Sequence, residues 1–228
     1  VIGIDDAFPP LGFYDKDGNI TGYDIELAEE VAFRLGVELV CKPIVWKEKE
    51  FELNAGNVDC LWSGFSLTDM RSDLMACTKP YLNNYYIVLV NADSEFDDLK
   101  SLSGKSVGYQ LGSTAFQALD KDPDFKKILA ETVGYNDNIM AVNALTNHEI
   151  EAIVIDYLFA NYLIHYEEMP LRIIDSVLSA EKIGIAFKKE NLRLRDAVQK
   201  KLDDMEVDGT VKRISLKWFG RNMSIIGK

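Results

Sequence analysis

The residues with the clearest capacity for chemistry are an arginine and an aspartate far apart in the chain, Arg71 and Asp156. Arg71 closes the segment Ser63-Gly64-Phe65-Ser66-Leu67-Thr68-Asp69-Met70-Arg71. Its guanidinium fork suits a carboxylate through two parallel hydrogen bonds. Ser66 adds a hydroxyl, and Gly64 lets backbone groups approach closely. Gly112-Ser113-Thr114 joins a strand to a helix over Ala115–Leu119, and the N–H groups and dipole at such a helix start favour an anion. Asp156 ends the apolar run Ile153-Val154-Ile155 and can receive an ammonium. A buried guest carrying both charges needs both paired, because leaving either unpaired out of water costs several kcal/mol.

Each residue also has a plainer reading. Arg71 would serve in a surface ion pair with Asp69 or Asp73, and Asp156 would serve as the cap of a helix over Tyr157–Tyr162. Phe8, in Asp5-Asp6-Ala7-Phe8-Pro9-Pro10, and Trp46, in Ile44-Val45-Trp46, sit after strands. They can wall the apolar part of a ligand or simply pack a core.

Other chemistries find little support. The two histidines, His148 and His165, and the three cysteines, Cys41, Cys60 and Cys77, have no metal-ligand spacing, so zinc catalysis is not expected and no cofactor is called for. Cys60 lies in an apolar run and reads as a buried thiol. A Cys41–Cys77 bridge stays open beside the simpler reading of three inert core thiols. A net charge of -12 argues against a phosphate-binding surface, and so against nucleic acid. No apolar run approaches the roughly 20 residues of a membrane span. Val1-Ile2-Gly3-Ile4 reads as the inside of a strand, so a signal segment is expected to precede it.

These residues need elements to position them, and the pattern alternates strand and helix, the mark of an α/β fold with largely parallel strands. Strands are expected at 1–5, 37–43, 58–62 and 85–90. Asp24 is expected to cap a helix with Ile25, Ala28, Val31, Ala32 and Leu35 on one face and Gly36 as its stop. A short helix is expected at 51–55, and another, begun by Thr68, carries Arg71.

After Asp93 the pattern starts again. Val107-Gly108-Tyr109-Gln110 repeats Ile2-Gly3-Ile4-Asp5, and the helix end, turn and strand of 145–156 echo those of 53–64. This self-similarity points to two lobes of one kind. Ligands of open α/β sheets bind beyond the carboxyl ends of the strands, which selects Asp5 and Ser63–Ser66 in lobe one, and Gln110–Thr114 and Asp156 in lobe two. The chain then returns to lobe one: Ile183–Phe187 is expected to pair with Tyr86–Val90 as a two-stranded hinge, followed by helices over 192–205 and 211–219. The division is 1–88 plus 187–228 for lobe one and 89–186 for lobe two, with the ligand cleft between them.

Phe8-Pro9-Pro10, Gly22-Tyr23-Asp24-Ile25-Glu26-Leu27-Ala28, the Ser63–Arg71 segment, Gln110-Leu111-Gly112-Ser113-Thr114 and Lys217-Trp218-Phe219-Gly220 resemble, in order, the polar-amino-acid solute-binding proteins of ABC importers. The resemblance implies a periplasmic-binding-protein type II fold: two Rossmann-like lobes with mixed sheets, closing around a ligand by hinge motion. Carried over by position, it implies that Arg71, Ser66 and Thr114 clamp an α-carboxylate. The Ser63 or Gly64 carbonyl and Asp156 hold the ammonium. Phe8 and Trp46 sandwich the side chain, and Asp5 and Gln110 read its far end, with Ser113 in the loop beside Thr114.

It further implies capture of an amino acid outside the cytoplasm for an importer's membrane permease. Asp5, with Asp6 beside it, and Gln110 favour a polar or basic one such as arginine, lysine or glutamine, and a monomer is expected because no exposed apolar face beyond the core pattern is evident. Catalysis is not expected; the alternatives are a dehydratase acting on prephenate-like acids, with Glu181 the one candidate acid, and the sensor domain of a membrane receptor. Two positions depart from the pattern. Leu11-Gly12 stands where Phe-Glu is usual, and His148 replaces a turn glycine, requiring a left-handed backbone or a different turn.

Overall fold

The computed structural model describes Val1–Lys228. Strands β1 (Ile2–Ile4), β2 (Ala7–Phe8), β3 (Gly12–Tyr14) and β4 (Ile20–Thr21) precede helix α1 (Tyr23–Leu35). Then come β5 (Cys41–Pro43), α2 (Lys49–Ala55), β6 (Cys60–Ser66), α3 (Asp69–Leu74), β7 (Met75–Cys77) and the long β8 (Leu82–Asn91). The middle of the chain forms β9 (Ser106–Gln110), α4 (Ala115–Lys121), α5 (Pro123–Ile128), β10 (Glu131–Tyr135), α6 (Asn138–Thr146), β11 (Ala152–Asp156) and α7 (Tyr157–His165). Last are β12 (Leu171–Lys188), α8 (Leu192–Val207) and α9 (Thr210–Phe219).

These elements form two compact units, Val1–Asn83 with Lys182–Lys228, and Asn84–Glu181. The chain passes between them twice, five residues earlier at each crossing than the sequence pattern suggests.

In the first unit the strands lie in the order β5-β1-β6-β12, with β7 on the other edge of β12. β1 is parallel to β5 and β6, and β12 runs antiparallel to β6 and β7. Every residue of β6 is buried, as a central strand flanked on both edges and covered on both faces should be. Trp46, Leu53, Val58, Leu61, Phe65, Met75 and Ala186 pack together around it. A small antiparallel sheet, β2-β3-β4, stands apart.

Helix α1 buries Ile25, Ala28, Val31 and Ala32 and stops at Gly36, whose φ of 69° is left-handed. Its start differs from the expectation. Gly22 is the N-cap, because its φ of 139° and the Leu11 carbonyl oxygen, 2.2 Å from where a Cβ would sit, admit only glycine. Asp24 lies inside the first turn and is fully buried. It caps nothing.

The hinge pairing expected of Ile183–Phe187 is also not made by those residues. β12 does lie beside β8 in the sheet, but Ala186 and Phe187 have β6 on one edge and β7 on the other, so the pairing falls elsewhere along β12. The segment expected as a strand from Val37 begins only at Cys41; Val37 and Val40 are exposed and have no apolar face to bury.

In the second unit the order is β10-β9-β11-β8. β9 is parallel to β10 and β11, while β11 is antiparallel to β8. The core collects Tyr86, Val88, Val90, Val107, Ala118, Leu119, Phe125, Ala152 and Val154. The repeat seen in sequence is a structural one: β6 lies parallel beside β1 as β11 lies parallel beside β9. The turns before those strands correspond as well. Gly56 takes φ 80°, and His148, in the equivalent turn, takes φ 58°. The left-handed backbone is therefore kept without a glycine, with Asn91 Nδ2 3.3 Å from the His148 Nδ1.

Candidate functional site

The first unit gathers seven of the expected site residues at the carboxyl ends of its strands. Asp5 follows β1, is 4% exposed, and accepts the Ala7 N–H at Oδ1 (3.0 Å). Ser63 Oγ donates to the Asp5 carbonyl (3.2 Å). Gly64 has φ 56°, and an added Cβ would lie 2.3 Å from the Phe8 ring. Glycine is thus needed there for conformation and for space. Gly12, one of the departures from the resembling pattern, faces Ser63 Oγ and the Asp5 carbonyl at 3.2 and 3.3 Å from its virtual Cβ. A larger residue at position 12 would press on this cluster.

Arg71 is buried, 6% exposed, whereas Asp69 and Asp73 are exposed. The surface ion-pair reading does not fit that burial. Thr68 caps α3 by accepting the Arg71 N–H (3.2 Å), which fixes the turn that turns the side chain inward. The guanidinium donates from Nη1 to the Ser66 carbonyl (2.9 Å) and lies 4.6 Å from the Phe65 ring centre. Trp46 is buried and meets Phe65 edge-on at 6.4 Å.

Beside Trp46 lies a residue that the sequence reading missed. Lys49 is 1% exposed, and its Nζ sits 3.3 Å from the Trp46 carbonyl and 3.2 Å from Glu50. Burial, then the nearby Arg71 charge, push its pKa down to about 8. Lys49 lies outside the short helix expected at 51–55, and no pattern in the sequence marks it as buried.

The second unit brings together Gln110, Ser113, Thr114 and Asp156. Gln110 ends β9 and accepts from Asn138 at Oε1 (3.2 Å). Ser113 Oγ donates to the Gln110 carbonyl (2.7 Å) and accepts the Ala115 N–H (3.1 Å). That hydroxyl shapes the turn, and one of the helix-start N–H groups is already satisfied by it.

Asp156 stands at the N-cap position of α7, yet its side chain makes no cap hydrogen bond. Its Oδ1 instead accepts from Asn84 Nδ2. The same nitrogen donates to Glu181 Oε2 (3.2 Å), and Glu181 Oε1 accepts the Thr114 hydroxyl (2.5 Å). Asn84 Oδ1 takes the Leu158 N–H (3.4 Å). Tyr86 Oη lies 3.3 Å from Thr114 Oγ1; its pKa is raised well above the usual tyrosine value by burial, then by Asp156 and Glu181. Thr114 and Asp156 therefore belong to one polar network through Glu181 and Asn84. No local signal in the sequence marks Asn84 or Glu181 for this role.

The three cysteines are free. Cys41 on β5 and Cys77 on β7 are four strand spacings apart in the sheet order, about 19 Å at the usual interstrand distance and beyond the reach of a disulfide.

Comparison with known proteins follows the same lines. Residues 1–221 match the bacterial extracellular solute-binding proteins, family 3. The chain belongs to that family. This family 3 protein is 29% identical over 229 residues to the L-cystine-binding protein TcyJ of Escherichia coli K12, covering 98% of this chain and 84% of TcyJ. Among solved structures, it resembles a substrate-binding protein of an ABC uptake transporter from Streptococcus pneumoniae with bound histidine. The TM-score is 0.94 at 31% identity, over 98% of this chain and 93% of that one. An ancestral arginine-binding protein bound to arginine matches with a TM-score of 0.87 at 31% identity, over 96% and 97% of the two chains. The expected type II periplasmic-binding architecture of mixed sheets and helices is therefore the fold of this family 3 protein.

Proposed function

We propose that this family 3 protein captures a free polar or basic L-amino acid outside the cytoplasm and hands it, as a monomer, to the membrane permease of an ABC importer. The observation that carries the reading is a pair of buried opposite charges. Arg71 is held in the first unit by Ser66 and Phe65. Asp156 in the second unit is 5% exposed and does not cap the helix it precedes. In this reading the α-carboxylate goes to Arg71, with Ser66 and Thr114 beside it. The ammonium goes to Asp156 and to a carbonyl of Ser63 or Gly64, and the amino acid lies in a cleft between the units.

Phe8 and Trp46 would flank the ligand's side chain, and Asp5 with Gln110 would meet its far end. The names of the relatives support an amino acid as ligand, since they bind cystine, histidine and arginine. The buried carboxylate of Asp5 favours a basic or amide-bearing side chain within that class.

Binding without catalysis is the reading that the Glu181 contacts favour. Glu181 is tied on one oxygen to the Thr114 hydroxyl and on the other to the Asn84 amide, so both its oxygens serve the network that orients Asp156. A thermal-shift screen of the twenty amino acids and cystine tests the proposal, because a ligand that binds only the folded state raises Tm. Arginine, lysine, glutamine or histidine should raise it most. Tightest binding to glutamate or aspartate, or product formed from prephenate or arogenate, would contradict the reading.

A further inference from the structure

Asp24 has no place in the half-sites described above, yet it is fully buried with both carboxylate oxygens engaged. Oδ1 accepts the Tyr81 hydroxyl (2.7 Å) and Oδ2 accepts the Gly64 N–H (2.7 Å). Gly64 lies in an irregular stretch of β6. Leu61 pairs with Ala186 and Phe65 with Gly184, so β6 inserts extra residues opposite Ile185 alone. The backbone of Ile185 is engaged elsewhere: its carbonyl accepts the Thr78 N–H (3.0 Å), and its N–H donates to Thr78 Oγ1 (2.9 Å). On the other edge, pairing with β1 stops at Leu61.

Ser63 and Gly64 thus stand outside both ladders, as the residues of a bulge beside a functional site do. In a trans peptide the carbonyl and the following N–H point in opposite directions. Anchoring the Gly64 N–H on Asp24 therefore turns the Ser63 carbonyl directly away from Asp24. The Ser63 side chain, donating to the Asp5 carbonyl, braces the same peptide from its other end.

We infer that Asp24 is a positioning residue, which fixes the Ser63–Gly64 backbone so that a carbonyl of this pair meets the ammonium group of the bound amino acid. The inference rests on the amino-acid reading above and deepens it. An ionised Asp24 grips the Gly64 N–H more firmly than a neutral one, since a charged acceptor makes the stronger hydrogen bond. Burial raises its pKa to about 7 against the pull of the Gly64 and Tyr81 bonds, so the grip strengthens as pH rises through neutrality. The titratable groups facing it are Tyr23 on α1 and Tyr81 ahead of β8, with Glu206 of α8 near Tyr23.

Calorimetry tests this with L-arginine, L-histidine and L-cystine, each paired with its counterpart lacking α-amino groups: 5-guanidinopentanoate, imidazolepropionate and dithiodipropionate. The wild type should prefer an amino form by about tenfold or more, the worth of a charged hydrogen-bond set. In Asp24→Ala that preference should shrink several-fold while binding of the deaminated compound barely changes. Asp24→Asn keeps an oxygen for the Gly64 N–H and should restore the preference. In the wild type the preference should grow from pH 5.5 to 8, and in Asp24→Asn it should stay flat. A role confined to stability would weaken both compounds alike.

An unchanged preference in Asp24→Ala overturns the inference. If that variant does not fold, a wild-type preference with no pH dependence, or an Asp24→Asn preference that still tracks pH, overturns it instead. A wild type that binds none of the three amino acids overturns the amino-acid reading itself.

Discussion

Asn84 donates its side-chain amide to the carboxylate of Asp156. Asp156 sits where a helix cap would, directly ahead of α7, and the amide draws it off the helix. The same amide holds Glu181, while its oxygen satisfies the Leu158 N–H at the start of α7. One buried side chain thus orients two carboxylates and a helix end.

Asn84→Ala should therefore weaken amino-acid binding by about tenfold, in line with the 1–3 kcal/mol that follow the loss of a buried hydrogen-bond partner. Calorimetry on the folded variant reads this directly. A Kd equal to that of the wild type would show that Asp156 orients itself.

Gly64→Ala is expected to be among the most disruptive single-methyl changes in the chain. The position needs a left-handed backbone, and the new Cβ would lie 2.3 Å from the Phe8 ring and 2.9 Å from Leu11 Cδ1. Conformational strain and overpacking together should lower stability by about 2–4 kcal/mol. Urea denaturation measures the loss, and a change below about 0.5 kcal/mol would mean that β6 relaxes freely here.

The buried Asp24 carboxyl also predicts how stability varies with pH. Its pKa is raised to about 7 in the folded chain, against about 3.9 when unfolded. Between those values the folded state holds a proton that the unfolded state has lost, so this group's contribution declines as pH rises from about 4 to 7 and is flat above. Asp24→Asn removes the titration. Its stability relative to wild type should improve between pH 5 and 8, which paired thermal melts would show; a difference independent of pH would refute the assignment.

The cysteines should behave as unreactive thiols rather than as a bridge. Burial pushes Cys60 up to about 12 and Cys41 up to about 11, so few thiolates form at neutral pH. Reducing agent should leave Tm unchanged, and a thiol reagent should label the three residues rapidly only after denaturation. A Tm that drops on reduction would contradict the strand order that separates Cys41 from Cys77.

Much of this was legible in sequence because it depends on local patterning. The Thr68 cap places Arg71 by spacing within a single turn, and the repeat of β1 in β9 and β6 in β11 survives as similar short apolar runs. What was misread depends on partners distant in the chain. Asp24 in a first turn looks like a cap, and only a bond to Gly64, forty residues on, shows it to be a core acceptor. Glu181 entered only as the candidate acid of an enzyme, because nothing near it in sequence announces Asn84 or Thr114. The second edge of Ala186 is filled by β7, a three-residue strand too short to leave a pattern.

The central claim is that one dipolar molecule bridges Arg71 and Asp156, and a double-mutant cycle tests it most directly. The Kd of the amino acid that most raises Tm would be measured for wild type, Arg71→Ala, Asp156→Ala and the double variant, each confirmed as folded. Each single change should weaken binding by about thirtyfold or more, the effect of leaving one buried charge without its partner. Either single variant binding within about threefold of wild type, a difference too small for a buried charge pair, would contradict the account.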